Sequence, residues 1–239
     1  MVIYGINPVL EALQAGRVVS VHLAQGRRER LEAIRRLAQS EGLDVREATA
    51  AELARLARTS DHQGAVAIVR QAQAFSVTDL VALSDGPALL VVLDGVEDPH
   101  NVGAIIRTLD AAGAGGLVRQ TRHAAPLGGA AAKASAGAVA HVRVADVVNI
   151  ARSLEDLTAA GVWTIGLAAE APETYDQVDL TLPSAIVLGA EGQGLRRLVR
   201  ERCDRLVSIP MLGKVSSLNV AAAASVVLFE AVRQRRLRP

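Results

Sequence analysis

The sequence predicts an α/β protein built from two domains, and three features of the chain support this. Residues 1–70 alternate short helical and strand patterns, as a small independent α/β module would. Residues 71–87 have mixed composition and end in Asp-Gly-Pro, which predicts a linker with a short helix after Ser76. Residues 88–239 alternate continuous apolar runs with helical segments, which is typical of a parallel sheet covered on both faces.

In the amino-terminal domain, helix and strand signals follow one another closely. Asn7 precedes Pro8 at one helix start, and Thr49 with Glu52 forms a capping box at another. The remaining signals are a strand at 18–24, a helix within 28–42 and a buried strand at 64–69.

Four apolar runs in the carboxyl-terminal domain predict the strands of a parallel sheet. They are 88–94, 161–169, 185–190 and 205–210. A final helix is predicted over Leu218 to Arg236, and the alanine-rich stretch 128–138 is a helix candidate. Because ligands bind beyond the carboxyl ends of strands in open α/β sheets, residues after these strands are the first candidates for a site.

Composition excludes several classes of protein. The chain has 239 residues, of which 50% are hydrophobic, so it can bury a core and is neither disordered nor collagen-like. The single cysteine, Cys203, excludes a disulfide framework and indicates a reducing compartment. No run approaches the roughly 18 apolar residues of a membrane span, and the start lacks signal-peptide features, so we expect a cytoplasmic protein. The His and Cys residues show no ligand spacing, so we expect no metal.

Charge does not decide for or against a nucleic-acid partner, because the formal net charge is +1. Arginine supplies 24 of the 26 basic residues; it suits bidentate phosphate binding, but a GC-rich genome produces the same bias. Residues 1–70 hold ten Arg and eight acidic residues, so only a local patch such as Arg27, Arg28 and Arg30 could bind RNA there. Aromatic residues form 2% of the chain, which argues against a base-stacking platform.

The first motif that carries chemistry is LDGVEDPHNVGAIIRTLDAAG at 93–113, where a strand ends at Asp94 and a helix follows a polar turn. Asn101 could donate a hydrogen bond from the turn, and Arg107 could reach over from the next helical turn. The alternative is that Asn101 only caps the helix and Arg107 is a solvated helix residue. The spacing of the two residues does not separate these interpretations.

The second motif is IVLGAEGQGL at 186–195, in which three glycines follow a buried strand. Glycines let the backbone approach a ligand closely. The order G-x-x-G-x-G reverses the dinucleotide fingerprint G-x-G-x-x-G, which disfavours a site for NAD. Glu191, between the glycines, is either a functional residue or a cap of the following helix.

The third motif is SIPMLGKVSSLNVAAAASVVLFEA at 208–231. An irregular loop leads to Ser216, Ser217 and Asn219, which open an alanine-rich helix. A serine N-cap would explain either serine. It would not explain polar side chains on both sides of Leu218.

Taken in this order, the three motifs resemble those of the SpoU/TrmH-type RNA ribose 2′-O-methyltransferases of the SPOUT superfamily. The residues that carry the resemblance are 94–107, 188–195 and 209–221. The resemblance extends over essentially the whole chain, since Tyr4-Gly5 and Asp61-His-Gln-Gly64 are similar to the substrate-binding domain of the RlmB branch. That branch methylates a guanosine ribose in 23S-type ribosomal RNA.

The resemblance implies a deep trefoil knot in the carboxyl-terminal domain and a ribosomal-protein-like RNA-binding fold in the amino-terminal one. It also implies S-adenosyl-L-methionine as the cofactor and a homodimer in which the partner subunit contributes to each site. By position, the cofactor-binding residues are Leu167, Gly189, Ile209 and Leu218. The residues that match the family's catalytic polar residues are Asn101, Arg107, Glu191, Ser217 and Asn219.

The resemblance casts Arg107 as the general base, but a guanidinium does not ordinarily deprotonate in proteins. We therefore expect Arg107 to bind the adjacent phosphate and to stabilise the developing alkoxide, while the proton leaves through phosphate or water. Asn101, Ser217 and Asn219 would orient the ribose, the phosphate and the loops. Two alternatives remain, namely the same chemistry on transfer RNA and a knotted ribosomal-RNA-binding protein without activity.

Overall fold

The computed structural model of the protein describes residues 1–26, 29–70, 74–122 and 124–237. Arg27 and Arg28, two arginines of the expected basic patch, lie outside the described residues. The described chain forms two compact units that alternate along the sequence. The first unit comprises the described parts of Met1–Ala72, Val102–Arg107 and Pro126–His141, and the second those of Gln73–Asn101, Thr108–Ala125 and Val142–Pro239. The domain limits drawn from the sequence at positions 70 and 88 stay a prediction.

The first unit contains a mixed sheet with helices between its strands. Its elements before residue 70 are β1 (Val2–Tyr4), α1 (Ile6–Gln14), β2 (Val18–Ala24), α2 (Glu29–Ser40), β3 (Val45–Ala48), α3 (Ala50–Ala57) and β4 (Ala65–Val69). The strand order is β1-β4-β2-β3, with β2 and β3 parallel and β4 antiparallel to both of its neighbours. The predicted capping box is confirmed, since the Thr49 side chain accepts from Glu52 N and the Glu52 side chain accepts from Thr49 N.

The elements after residue 76 build the second unit, except where they return to the first. In chain order they are α4 (Val77–Ala82), β5 (Leu89–Asp94), α5 (Pro99–Ala111), β6 (Gly116–Gln120), α6 (Ala130–Ala134), β7 (Val144–Val147), α7 (Ile150–Ala159), β8 (Trp163–Leu167), β9 (Glu173–Thr174), β10 (Ser184–Gly189), α8 (Arg197–Arg202), β11 (Arg205–Ser208) and α9 (Val220–Leu237). Helix α6 and the 3₁₀ turn Ala138–Ala140 belong to the first unit, and α5 is divided between the two units.

The sheet of the second unit confirms the predicted fold class. Its strand order is β7-β6-β5-β10-β8-β11-β9, and each neighbouring pair is parallel. All four predicted apolar runs form strands in it. The central strands β5 and β10 are buried almost throughout, as expected for parallel strands covered on both faces. The knot implied by the resemblance stays a prediction, and no helix among the described residues is long and apolar enough to cross a membrane.

The prediction missed strands β6 and β7. Strand β6 begins at Gly116, a residue type that is depleted in strands, so its pattern is weak in the sequence. In the structure a Cβ at Gly116 would lie 2.8 Å from Leu80 Cδ2 and 2.9 Å from Arg143 O. Glycine is therefore required here by close packing, which a single sequence does not reveal.

The helix expected over 128–138 is shorter in the structure, where only α6 and the 3₁₀ turn are helical. Gly129 and Gly137 have φ values of 56° and 98°, a region that interrupts a helix and favours glycine. A Cβ at Gly137 would come within 2.4 Å of Glu11 Cβ, so this segment packs against α1 through bare backbone.

Candidate active site

A cavity of about 320 Å³ opens at the carboxyl ends of three neighbouring strands, β10, β8 and β11. Its walls come from the segments that follow these strands and from the start of α9. This is the edge at which open parallel sheets bind ligands, because the strand ends and their loops converge there.

The structure brings all four predicted cofactor-binding residues to this cavity. Leu167, Gly189, Ile209 and Leu218 line it. Two of the predicted catalytic residues, Glu191 and Ser217, line it as well. The predicted residues of the second and third motifs and Leu167 therefore lie around one cavity, and their roles in binding stay predictions.

The glycine-rich loop after β10 closes into a tight turn. Ala190 N donates to Gly194 O at 3.1 Å, and Gly194 N donates to Ala190 O at 2.8 Å. A Cβ at Gly189 would lie 2.1 Å from the carbonyl carbon of Gly194, so only glycine fits at this position. Gly192 and Gly194 have φ values of 77° and 67°, which permit the reversal. The loop thereby places Glu191 at its corner, on the wall of the cavity.

Three of the predicted catalytic side chains form one hydrogen-bond network. Asn101 Nδ2 donates to Glu191 Oε1 at 2.9 Å, and Asn219 Nδ2 donates to the same oxygen at 2.7 Å. Asn219 Nδ2 also donates to Asn101 Oδ1 at 2.9 Å. A hydrogen bond donated to a carboxylate is stronger than one between two neutral groups. The network joins all three motifs at the cavity.

Helix caps hold two members of this network in place. Asp98 is the N-cap of α5 and accepts from Asn101 N at 3.4 Å, which fixes Asn101 in the first helical turn. Asn219 Oδ1 accepts from Ala221 N at 2.9 Å and from Ala222 N at 3.4 Å, so this oxygen caps α9. Because the oxygen faces the helix, the Nδ2 group of the same amide must face Glu191.

These contacts decide the alternatives that the sequence left open. The N-cap of α5 is Asp98, so the interpretation of Asn101 as a cap is wrong. Helix α8, which follows the glycine-rich loop, has Arg196 as N-cap without a side-chain cap bond, so Glu191 does not cap it. Helix α9 begins at Val220, and its N-cap is Asn219. The interpretation of Ser216 or Ser217 as the cap is therefore wrong.

Arg107 is exposed and lies on α5 in the first unit, six residues after Asn101. It lines a different cavity, of about 820 Å³, formed within the first unit. The structure therefore does not place Arg107 in the network of Asn101, Glu191 and Asn219. Its predicted role toward substrate stays a prediction.

Sequence reasoning missed a buried ion pair that holds the glycine-rich loop to the sheet. Asp94, at the end of β5, is fully buried and accepts from Arg196 N at 2.8 Å and from Arg196 Nε at 2.6 Å. The Arg196 Nη2 atom donates to Gln120 Oε1 at 2.7 Å, which adds β6 to the connection. A carboxylate that ends a wholly apolar strand was the available signal, because a buried charge requires a partner.

Two titratable groups of the second unit, Cys203 and Glu170, have shifted pKa values that bear on their chemistry. Burial, with smaller contributions from Asp204 and Asp94, raises the pKa of the Cys203 thiol to about 12. Cys203 is therefore a neutral thiol at physiological pH and is not an activated nucleophile. The hydrogen bond from Arg200 lowers the pKa of Glu170, so this carboxylate on the cavity wall remains ionised at neutral pH. In the described part of the chain no group of three or more His, Cys, Asp or Glu residues could hold a metal ion.

Comparison with known proteins identifies the family. The family model described as the SpoU rRNA methylase family matches residues 88–229. The chain belongs to the SpoU rRNA methylase family. A second model, described as RNA 2′-O ribose methyltransferase substrate binding, matches residues 2–75.

Curated members of the SpoU family are similar to this chain over nearly its whole length. The Pseudomonas putida protein named 23S rRNA (guanosine-2′-O-)-methyltransferase RlmB is 43% identical over 242 residues, covering 99% of this chain and 97% of its own. The Shewanella oneidensis protein of the same name is 44% identical, covering 98% of each chain.

Solved structures of SpoU enzymes share the fold. The SpoU methyltransferase AviRb from Streptomyces viridochromogenes, in complex with AdoMet, has a TM-score of 0.82 and 28% identity, covering 99% of this chain and 90% of that one. The TrmH/SpoU tRNA modifying enzyme of A. aeolicus has a TM-score of 0.58 and 29% identity, covering 67% of this chain and 82% of that one.

Replacing Asn219 by Asp tests whether the network needs a donor at this position. Asp caps a helix as well as Asn does, but it places a second carboxylate within hydrogen-bond distance of Glu191. We expect Asn219→Asp to lower methyltransferase activity by about ten-fold or more at neutral pH. The activity should recover partly as pH falls, because protonation of one carboxyl restores a donor. The measurement is single-turnover methyl transfer over a range of pH.

Asn219→Ser is the matched control, because serine also caps the helix but adds no charge. Its loss of activity should show no recovery at low pH. An Asn219→Asp protein with wild-type activity, or with a loss that ignores pH, would mean that donation to Glu191 is unimportant.

Proposed function

We propose that this protein transfers a methyl group from S-adenosyl-L-methionine to the ribose 2′ oxygen of a guanosine in 23S ribosomal RNA. The observation that carries the proposal is the network of Asn101, Glu191 and Asn219 beside the cavity at the strand ends. It is supported by the 43% identity over 99% of the chain to an enzyme named for this reaction. The substrate would be ribosomal RNA, and the reaction would take place in the cytoplasm.

The cavity fits S-adenosyl-L-methionine in its chemistry. Its wall combines apolar side chains, among them Leu167, Ile209 and Leu218, with the backbone of the glycine-rich loop. Apolar surface suits a purine ring, and a few backbone groups suffice to orient a ligand of this size. Arg200, a cationic side chain on the wall, is paired with Glu170. The described lining residues therefore include no cluster of free cations for a dinucleotide's phosphates. When bound, the cofactor supplies an activated methyl group on a sulfonium.

The chain's own contribution is to position the ribose and to help remove the 2′ proton. A ribose hydroxyl is a weak nucleophile at neutral pH, so alignment and proton removal dominate the barrier. Asn101, Glu191 and Asn219 would hold the loops and the ribose in register through their shared hydrogen bonds. Ser217, on the cavity wall, would add a hydroxyl that can donate or accept.

Arg107 would bind the phosphate next to the target ribose and stabilise the developing alkoxide. A guanidinium presents donors in a fixed fork that matches phosphate, and it stays charged throughout the reaction. The proton would therefore leave through phosphate or water. Arg107 is exposed on α5, where its guanidinium can reach a phosphate from solvent.

Transfer RNA is the second candidate substrate, and the extent of the structural match argues against it. The tRNA modifying enzyme of A. aeolicus covers 67% of this chain, whereas the proteins named for 23S rRNA cover at least 98% of it. Residues 2–75 of this chain match a model described as RNA 2′-O ribose methyltransferase substrate binding. The hydrogen-bond network of Asn101, Glu191 and Asn219 beside the cavity favours an enzyme over a protein without activity.

We also propose that the protein works as a homodimer through an exposed face of α9. Ala222, Val226 and Phe229 follow one another at helical spacing outside the core, and Phe229 is 50% exposed. Leu212 and Val215, in the loop before this helix, are 99% and 63% exposed. Exposed apolar side chains grouped in this way are typical of an interface. Ala221 and Ala224, on the same helix, are buried within their own subunit and are not part of this face.

Methyl transfer to separated RNAs tests the function. We expect label from S-adenosyl-L-methionine to reach the ribose of one guanosine in 23S rRNA, because the site and the substrate-binding region match enzymes of that name. Mapping the modified ribose identifies the nucleotide.

Calorimetric titration should show binding of S-adenosyl-L-methionine and none of NAD. Label in tRNA alone, or binding of NAD in place of the methyl donor, would contradict the proposal.

Substitution of Arg107 separates its possible roles. Arg107→Ala should lower the single-turnover rate by about 10²–10³, since one charge-stabilising group is lost from the transition state. Arg107→Lys should keep part of the rate, because a cation remains but the fork is lost. The affinity for S-adenosyl-L-methionine should change in neither, because other segments line that cavity. Asp110→Ala, an exposed change on the same helix, is the control. A wild-type rate for Arg107→Ala would make Arg107 a solvated helix residue.

Analytical ultracentrifugation of the full chain tests the dimer. We expect a dimer at micromolar concentration and a monomer for Phe229→Glu, because a charge on the apolar face must be desolvated in the interface. Val148→Glu places the same charge at another exposed apolar position, 86% accessible, and should leave the dimer intact. An unchanged dimer in Phe229→Glu would locate the interface elsewhere.

A further inference from the structure

The larger cavity of the first unit is a cationic cleft whose walls come from separate segments of the chain. Its volume is about 820 Å³. Helix α2 contributes Arg30, α5 contributes Arg107 and α6 contributes Lys133. Asn7 and Gln63 add two side-chain amides to the lining. We call this cavity the cationic cleft.

Positive charge dominates the cationic cleft. Arg30, Arg107 and Lys133 face one acidic lining residue, Glu29. Lys133 Nζ lies 3.9 Å from Asp61 Oδ2, but the Asp61 side chain is 73% exposed. An ion pair that is long and exposed contributes little, so Lys133 remains able to bind an anion.

Close packing of α5 on α6 sets Arg107 and Lys133 in the same cleft. A Cβ at Gly103 would lie 2.6 Å from both Ala131 O and Ala134 Cβ, so the two helices touch through backbone at this point. Arg107 follows Gly103 by four residues and therefore lies on the same side of α5. Lys133 stands between the two contacted residues of α6.

The segment that carries Lys133 is also held to the amino-terminal strands and helices. Arg17 Nη1 donates to Val139 O at 3.0 Å and to Ala140 O, at the 3₁₀ turn. His141 Nε2 lies 3.1 Å from Glu11 Oε2. Residues 126–141 lie within the sequence range of the methylase model, 88–229, yet they fold into the first unit.

We propose that the cationic cleft binds the phosphate backbone of single-stranded substrate RNA, with Arg30 and Lys133 contacting phosphates that flank the one held by Arg107. The proposal rests on the proposed function, because it extends the RNA site outward from Arg107. It also assigns substrate binding to Lys133, which lies outside the substrate-binding match at 2–75. Gln63 Oε1 accepts from Ile6 N at 3.2 Å, so its Nε2 group is the part that can donate to a ribose or a base.

Salt dependence of RNA binding tests the cationic cleft. Equilibrium binding of a 23S rRNA transcript is measured against potassium chloride concentration for the wild type, Arg30→Ala, Lys133→Ala and Arg36→Ala. Each phosphate contact on a single strand contributes about 0.7 to the slope of log affinity against log salt. Arg30→Ala and Lys133→Ala should each make the slope shallower by about 0.7, and the double variant by about 1.4. Each should also raise KM for RNA without changing affinity for S-adenosyl-L-methionine.

Arg36→Ala is the matched control, because it removes the same charge from an exposed position of α2 outside the cleft lining. Its slope should equal that of the wild type. Unfolding midpoints of the wild type, the three single variants and the double variant show that all five proteins are folded. Wild-type slopes in Arg30→Ala and Lys133→Ala, or an equal change in Arg36→Ala, would contradict the proposal that the cationic cleft binds RNA phosphates. A wild-type protein that methylates no RNA, yet shows the predicted slope differences, would overturn the proposed function and support the cleft.

Discussion

The candidate site depends most on the hydrogen bonds that the side-chain amide of Asn219 makes. Its oxygen caps α9, and its nitrogen donates to both Glu191 and Asn101. Because one rigid amide makes all of these bonds, the start of the last helix sets the orientation of the carboxylate on the cavity wall. The same side chain therefore stabilises the start of α9 and fixes the geometry of the site. A residue that only capped α9 would leave Glu191 without this donor, and one that only donated to Glu191 would leave the first N–H groups of α9 without this acceptor.

The glycine-rich loop depends on a second constraint, which is electrostatic. Asp94 is buried at the end of β5, and burial of a carboxylate is costly unless it is paired and hydrogen-bonded. Arg196 meets that need with its backbone N–H and its guanidinium, and so the end of the loop is fixed to the strand beside it. Gly189 permits the loop to fold back on itself at the other end. Between these two points, Glu191 has little freedom to leave the cavity.

Helix α5 carries one predicted site residue in each unit. Asn101, in its first turn, belongs to the second unit and its hydrogen-bond network, whereas Arg107 belongs to the first unit and its cationic cleft. The two residues are six positions apart, about 9 Å along a helix axis. The spacing does not bring Arg107 into the hydrogen-bond network of Asn101, and the role of Arg107 toward substrate stays a prediction.

The sequence by itself determined the alternation of apolar runs and helices, and hence the parallel sheet and the edge at which the cavity lies, because burial on both faces demands continuous apolar strands. The resemblance of its motifs to the SpoU family also indicated Asn101, Glu191 and Asn219 as candidate site residues. Only the tertiary structure decided that these three side chains bond to one another, that Asp98 and Asn219 are the caps, and that Lys133 joins Arg107 in one cleft. These contacts join residues up to 118 positions apart, and propensity and spacing report only on neighbours along the chain. Strands such as β6 were missed for the same reason, since the requirement for Gly116 comes from Leu80 and Arg143, which reach it only in the folded protein.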